Sequence, residues 1–415
     1  MSTRGKSVFP VILGLLCALL THCRDYALTP TLSGPPPPAD AGSEGVDSVH
    51  PPGPAQGGGD GGASGGGHGS APSGNPFGGR ESASTAGRAG NLAAGDARVS
   101  RSTPCALGQT FDSLQPFTAV TAARGAAGAE RLYAVVPNGR QIATTSREDP
   151  RGSLWSPWRC FGSLSAPTRL AATELPDGSA LVLAATQNDG LFARRGGGPL
   201  ADFGPWSSVD LPSESGQLED VAVARGAEHR NFLYVVNAGR VLFRYGTSTS
   251  SASQYTGWSD LGFRDAVRVA ATVLPNLAQI VFALKRDGTV EFASQTESTP
   301  GTNFDTARVI PLATPPGIVD LEAAFQAGAG VTLWVLDVDG GVHATTFAED
   351  RPTPYGVWSP WLTLPHPPSY LQHFTSLGAL SALEPNHLRM LYAVSATGQA
   401  AYWGETDWQR LTRED

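Results

Sequence analysis

The sequence predicts an all-β protein, a β-propeller of four-stranded blades that follows a long linker. A unit of about fifty residues recurs six times after Cys105, and each unit contains a turn ending in glycine between two short apolar strands. Asn-Gly and Asp-Gly between apolar strands are the strongest short hairpin signal, because both central residues of the turn adopt positive φ. The turn glycines are separated by 51, 49, 49, 52 and 58 residues: Gly139, Gly190, Gly239, Gly288, Gly340 and Gly398.

Two further strands flank each hairpin. A strand of small residues precedes it, as in AVTAAR from Ala119, and a Trp-led strand follows it after a polar loop, as in PWSSVDL and GWSDLGF. In the fourth repeat Phe304 replaces the Trp. Alanines suit a crowded central channel, and large rings suit the wide gaps between the outer edges of blades. Four short strands in each unit, without a sustained 3.6-residue period, indicate a propeller blade rather than helices.

The number of blades depends on the segment before the first repeat. Six complete hairpins favour six blades. The segment GQTFDSL from Gly108 is either an extra edge strand or a fragment of a degenerate seventh blade, so a seven-bladed ring is the alternative.

Residues 1–23 have the features of a secretory signal peptide. Arg4 and Lys6 precede an apolar run over 8–20, which is shorter than the roughly 20 residues that span a bilayer. The end of this run, LTHC, resembles a bacterial lipobox and predicts lipid attachment at Cys23, although His22 departs from the small residue usual there. We therefore expect a lipoprotein of the outer membrane or cell surface, with a soluble periplasmic or secreted protein as the alternative.

Residues 24–104 predict a disordered linker, and the propeller is expected over 105–415. The linker is rich in Gly, Pro and Ser and has too few large apolar side chains to offset the entropy of ordering its backbone. Export implies an oxidising compartment, so Cys105 and Cys160 are expected to form a disulfide. A catalytic cysteine is not supported, because no His-containing motif accompanies either residue.

The repeat resembles the blades of lectin propellers of the PLL-like and tectonin type. Those blades combine an apolar strand, a D-G turn, an aromatic strand, a polar loop and W-x-x-W or G-W-x-x-L. The resemblance implies carbohydrate binding in pockets between blades or on top of them. The matching residues here are Asp287-Gly288, Gly257-Trp258 with Leu261, Trp155 with Trp158, and Trp358 with Trp361.

The expected function is non-catalytic binding of a glycan, with protein interaction at the cell envelope as the alternative. The recurrent Trp residues are assigned to packing between blades, whereas the loops before them differ in length and chemistry. Function tends to lie in such loops. Nucleic acid is not an expected partner, because the net charge is -8 and no Lys/Arg block is present. The candidate ligand contacts are loop aromatics interpreted as breaking the repeat: Phe203, Tyr255, Tyr355 and Tyr370.

Catalytic chemistry has little support in the sequence, so no catalytic, cofactor or metal residue is predicted. A divergent sialidase-like glycosidase is the enzyme alternative, but Asp149 and Gly152 are one residue too far apart for an Asp-box. The histidines show no pairing typical of metal ligands. Four arginines recur near the inner strands and are interpreted as solvated strand-end residues, with an anion-binding channel mouth as the alternative: Arg124, Arg169, Arg225 and Arg268.

Overall fold

The computed structural model describes residues 105–413 apart from short segments, and these residues form six four-stranded antiparallel sheets. The segments left out are 112–115, 126–127, 137–139, 150–153, 188–189, 198–199, 213–215, 229, 248–253, 297–302, 348–356, 384–389 and 405. The predicted signal peptide, Cys23 and the linker lie outside the described residues. Within the described part no α-helix occurs, so no helix there could cross a membrane.

Each of the first three blades follows the predicted strand order. Blade 1 contains β1 (Ala119–Arg124), β2 (Glu130–Val136), β3 (Gln141–Arg147) and, after the short β4 (Leu154–Trp155), the outer strand β5 (Arg159–Ser163). Blade 2 contains β6 (Pro167–Glu174), β7 (Ala180–Thr186), β8 (Leu191–Gly196) and β9 (Ser207–Val209). Blade 3 contains β10 (Leu218–Arg225), β11 (Arg230–Asn237), β12 (Arg240–Thr247) and β13 (Ser259–Asp260).

The last three blades repeat this order, and a short strand follows them. Blade 4 contains β14 (Ala266–Val273), β15 (Gln279–Lys285), β16 (Val290–Ser294) and β17 (Arg308–Val309). Blade 5 contains β18 (Ile318–Gln326), β19 (Gly330–Asp337), β20 (Val342–Phe347) and β21 (Leu362–Thr363). Blade 6 contains β22 (Phe374–Leu380), β23 (Met390–Ser395), β24 (Ala400–Gly404) and β25 (Asp407–Arg410), after which β26 (Thr412–Arg413) follows.

The inner strands form a closed ring around a narrow channel. Each contacts the inner strand of the next blade, and β22 of blade 6 contacts β1 of blade 1. The cavity along this axis measures about 60 Å³, and small side chains line much of it, which confirms the predicted role of the alanine-rich strands. The channel alanines include Ala122, Ala172, Ala271, Ala323 and Ala379.

The hairpin between β11 and β12 shows the predicted turn chemistry. Ala238 and Gly239 have φ angles of 51° and 72°, and they join the paired residues Asn237 and Arg240. Two positive φ angles at the centre of a two-residue loop match the twist of antiparallel strands. At Gly288 the φ angle is also positive, at 85°.

The recurrent aromatic position lies three residues before the outer-strand Trp, which corrects the assignment of Phe304. The backbone N–H of the residue after this aromatic donates to a carbonyl of the third strand in five blades. Phe304 holds this position in blade 4, and Ala307 stands where other blades have the outer-strand Trp. The aromatic residues that share the position are Trp155, Phe203, Tyr255, Phe304 and Trp358.

Rings at this position pack against the preceding blade. Phe203 lies 4.9 Å from the Phe161 ring centroid of blade 1, and Phe304 lies 5.0 Å from Phe243 of blade 3. The predicted packing role of large rings between blades is thus confirmed.

Both ends of the propeller domain attach to blade 1. A disulfide joins Cys105 to Cys160 of β5, and the N–H of Cys160 donates to the Gln109 carbonyl at 2.7 Å. Residues 105–111 therefore form an extra edge beside β5. The described residues form six blades, so the alternative of a seventh blade is wrong. At the other end, β26 pairs in parallel with β4 of blade 1, a contact that the sequence did not suggest.

Removing the disulfide should destabilise the propeller without changing its fold. Cys105 and Cys160 are 55 residues apart, and a cross-link closing a loop of that size contributes about 2–4 kcal/mol. We expect the double variant Cys105→Ser/Cys160→Ser to lose that much unfolding free energy in urea denaturation. Its circular dichroism spectrum should match that of the parent. Equal stability of the two proteins would show that the disulfide does not hold the fold.

Candidate functional site

A cavity of about 230 Å³ opens where blade 6 meets blade 1, and we call it the seam pocket. Blade 1 contributes the chain that enters β1 and the start of its outer strand, while blade 6 contributes the turn between β23 and β24 and the end of β25. The residues that line the seam pocket are Pro116, Phe117, Trp158, Thr397, Gly398, Gln399, Ala400, Arg410 and Leu411.

Aromatic rings form one wall of the seam pocket. The rings of Phe117 and Trp158 are 4.5 Å apart between centroids, and both side chains are largely buried. Packing fixes Trp158 in place, because the N–H of Phe111 donates to its carbonyl at 3.2 Å within the segment that the disulfide anchors. The two rings are tilted by 47° to each other, and an apolar wall of this kind can contact the C–H face of a sugar ring.

Polar groups face this wall. The side-chain oxygen Oε1 of Gln399 is buried and has no hydrogen-bond partner among the described residues, although its backbone is bonded to Ser395. Buried polar atoms in folded proteins are nearly always bonded, so the unpaired acceptor of a residue that lines the pocket is a candidate partner for a ligand donor. Arg410 and Thr397 are exposed at the rim and carry further donors.

Glycine at position 398 is required by the approach of the two blades. Its φ angle is 75°, and a Cβ built there would lie 2.1 Å from the Cα of Pro116. The carbonyl of Gly398 accepts the N–H of Phe117 at 3.0 Å, which ties the blade 6 turn directly to blade 1. Any side chain at this position would push the two blades apart at the seam pocket.

A buried ion cluster holds the same joint. Glu130 of β2 pairs with Arg147 of β3, and Arg124 of β1 lies 3.5 Å from the Glu130 carboxylate. The hydroxyl of Tyr392 in blade 6 donates to Glu130 Oε2 at 3.1 Å. Burial and the neighbouring carboxylate raise the pKa of Tyr392 well above its usual range, so this hydroxyl remains a donor. The interpretation of Arg124 as solvated is wrong, because its side chain is only 1% exposed.

The predicted ligand aromatics do not form one site. Phe203 is buried against blade 1, and Tyr255 is partly buried with the Arg244 guanidinium 4.9 Å above its ring. Both occupy the recurrent aromatic position, so the interpretation that they break the repeat is wrong. Tyr370 is 51% exposed and lies outside the seam pocket, while Tyr355 lies outside the described residues.

No group of His, Cys, Asp or Glu side chains in the described part of the chain could hold a metal ion. The Nε2 of His343 lies 2.9 Å from Asp337, and together with the Gly341 and Asp339 N–H groups it lowers the pKa of that carboxyl. This pair stabilises a turn rather than a metal site.

Comparison with solved structures places the fold among lectin propellers. A variant of the lectin from Aleuria aurantia in complex with α-methyl-L-fucoside matches with a TM-score of 0.50 and 13% identity, covering 73% of this chain and 95% of the lectin. A second structure of that lectin, described as a six-bladed β-propeller with a novel fucose recognition mode, matches equally well over 96% of its length. This chain shares their fold. No protein-family model matches the sequence, and no curated protein matches it.

Sequence inspection missed the seam pocket because its walls come from opposite ends of the domain. Phe117 and Gln399 are neighbours only once the ring has closed.

Alanine substitution of two predicted ligand aromatics should show which of them stabilises the core and which lies at the surface. Phe203→Ala removes a buried ring between blades 1 and 2 and should cost about 3–5 kcal/mol of unfolding free energy. Tyr370→Ala changes an exposed side chain and should cost less than about 0.5 kcal/mol. Urea denaturation of the two variants measures both values. Similar losses in both would contradict the assignment of Phe203 to the core.

Proposed function

We propose that this protein is an exported, non-catalytic carbohydrate-binding module that holds a single sugar unit in the seam pocket. The observation that carries the proposal is that Gln399, whose side-chain oxygen is unpaired, lines the same pocket as the aromatic rings of Phe117 and Trp158. Sugars present both hydroxyl donors and apolar C–H faces, so this combination suits them. At about 230 Å³ the pocket is smaller than the roughly 300–1,000 Å³ typical for larger ligands, which suits one ring.

The fold comparison supports the same class of ligand. A variant of the Aleuria aurantia lectin has been solved in complex with α-methyl-L-fucoside and with Fucα1-6GlcNAc. We infer that fucosylated glycans are the first ligands to test. The W-x-x-W and D-G motifs support the further proposal that the blades are of the PLL-like and tectonin type.

Binding without hydrolysis fits the chemistry of the seam pocket. Arg410 is the only residue with an ionisable side chain among those that line it, and glycoside hydrolysis generally requires a pair of carboxyl groups that flank the scissile bond. Among the described residues, the pocket lining therefore offers donors and an acceptor for sugar hydroxyls but no carboxyl pair.

A glycan array followed by calorimetry with the full mature chain tests the proposal. Gln399→Ala should weaken binding of the best array ligand about tenfold, the effect of one hydrogen bond of about 1.4 kcal/mol. Its thermal stability should be unchanged, because the Gln399 oxygen accepts no hydrogen bond from the part of the chain that the structure describes. Arg410→Ala should also weaken binding, whereas the control Arg264→Ala, on blade 3, should not.

Three outcomes would contradict the proposal. They are an array without signal, binding by Gln399→Ala as tight as that of the parent, and recovery of the sugar in cleaved form. The last of these would show catalysis.

We also propose that Cys23 is lipidated and that the protein is attached to the outer membrane or cell surface. The apolar run over 8–20 and the LTHC sequence support this. Cys23→Ser should move the protein from the membrane fraction to the soluble fraction of cells, while Cys17→Ser should not. Membrane association of Cys23→Ser would contradict the anchor.

A further inference from the structure

The inner strands carry alternating charges at one mouth of the channel. Each of β6, β10, β14 and β18 has a charged residue at its third position, and the pairing register shifts there in all four strands. A bulge of this kind redirects a side chain. The four residues in order around the ring are Arg169, Asp220, Arg268 and Asp320.

The carboxylates of the two aspartates are nearly buried, and each accepts a hydrogen bond from a backbone N–H group. The N–H of Val269 donates to Asp220 Oδ2 at 2.9 Å, and the N–H of Leu377 donates to Asp320 Oδ2 at 3.0 Å. Both side chains are nearly buried, and neither lines the cavity at the channel mouth. Their negative charges are therefore withdrawn from that cavity.

The two arginines instead face the cavity, which measures about 460 Å³. Arg169 Nε lies 3.8 Å from Asp220, and Arg268 Nε lies 3.7 Å from Asp320, both beyond hydrogen-bond distance. The Nε of Arg268 is buried without a hydrogen-bond partner in the described structure. The Nη1 of Arg268 donates to the Val267 carbonyl at 2.7 Å, so its Nε is the guanidinium N–H of this residue that lacks a partner in the described structure.

The remaining lining adds neutral donors and one carboxylate whose charge is balanced. Gln187 and Gln217 place amide side chains at the cavity, and threonines from blades 1, 2 and 6 complete its polar rim. Glu219 also lines it, but its carboxylate lies 3.7 Å from the exposed Arg286. The described residues that line the cavity thus carry two positive charges, on Arg169 and Arg268, and one negative charge, on Glu219.

We propose that this channel mouth is a second binding site, which takes a ligand carrying a carboxylate or sulfate group and holds that group on Arg169 and Arg268. Guanidinium groups match the geometry of such oxyanions better than any other side chain does. The site is separate from the seam pocket in its residues and in its chemistry. It also corrects the interpretation of these two arginines as solvated strand-end residues, since their side chains are only 21% and 23% exposed.

Acidity should strengthen binding at this site. Burial raises the pKa of Asp220 to about 6, against the opposing effect of Arg169 and Arg268, and Asp320 raises it further. Glu322 lies deeper in the channel, where burial and the two aspartates raise its pKa well above the usual range. As the pH falls from 7.5 to 5, Asp220 takes up a proton, so the cluster gains one positive charge and attracts an anion more strongly.

Calorimetry with the full mature chain and three probes tests the proposal: inorganic sulfate, glucuronate and neutral methyl glucoside. We expect glucuronate to bind and methyl glucoside to bind at least tenfold more weakly at this mouth. Binding of sulfate as well would show that the oxyanion alone suffices, and binding of glucuronate without sulfate would show that the sugar ring contributes. Binding of neither anion, or equal affinity for glucuronate and methyl glucoside, would overturn the site.

Single substitutions test which residues bind glucuronate. They also distinguish a loss of affinity from a loss of folding. Arg169→Gln should reduce glucuronate affinity at least tenfold, and Arg169→Lys, which keeps the charge, should retain part of it. Gln187→Ala disturbs no ion pair and should weaken binding about threefold. Arg264→Gln in the exposed surface and Gln399→Ala in the seam pocket should leave it unchanged.

The pH dependence provides the last check. The parent should bind glucuronate at least threefold more tightly at pH 5 than at pH 7.5, and Asp220→Asn should bind equally at both. Wild-type affinity for glucuronate in Arg169→Gln, Arg169→Lys and Gln187→Ala, all shown to be folded by thermal melting, would contradict the proposal.

Discussion

Closure of the ring between blades 6 and 1 is the constraint on which the rest of the structure depends. Each of the six blades takes its four strands from one segment of the chain. The joint between blades 6 and 1 is held by contacts that differ in kind: the parallel pairing of β26 with β4, a backbone bond at Gly398 and the bond from Tyr392 to the ion cluster at Glu130. A disulfide anchors the segment before β1 to the outer strand of blade 1. All of them act on blade 1.

The ion cluster favours the closed ring, because it is complete only when blade 6 packs against blade 1. Burying a carboxylate is costly unless its charge is paired and its oxygens are bonded. Arg124 and Arg147 supply the pairing from within blade 1, but the Tyr392 hydroxyl comes from blade 6. Glu130 is therefore fully satisfied only when the last blade has docked against the first. The seam pocket lies at this joint, and its two walls are held in register by the same contacts.

The sequence predicted those features that depend on local pattern. Strand order, hairpin position and blade number follow from a period that each repeat displays by itself. The cysteine pairing followed from export and from the small number of cysteines, and the structure contains it. The position of Phe203 and Tyr255 in the repeat was missed because Trp, Phe and Tyr all occur there, although the spacing of three residues to the outer-strand Trp is constant. The shared backbone bond to the third strand shows that these residues occupy one position.

The candidate sites could not be predicted in this way, because they depend on contacts between repeats. Whether Arg169 is solvated or buried depends on Asp220, which belongs to the next blade, and on a bulge that redirects both side chains. Gln399 is an ordinary polar residue in sequence, and only the packing of Pro116 and Phe117 against its turn leaves its oxygen without a partner. The sequence period describes a single blade, whereas the surroundings of Arg169 and Gln399 are formed by residues of two blades.

The two cavities also share one face of the propeller. The seam pocket includes Phe117, the channel mouth includes Thr118, and both cavities include residues of turns that join second to third strands. In an antiparallel blade the loops between the third and fourth strands leave from the opposite face. Those are the loops whose unequal lengths suggested function in the sequence. Their divergence can therefore proceed without altering either cavity, since the residues that form the seam pocket and the channel mouth lie in short turns and at strand starts, where the geometry of the ring fixes them.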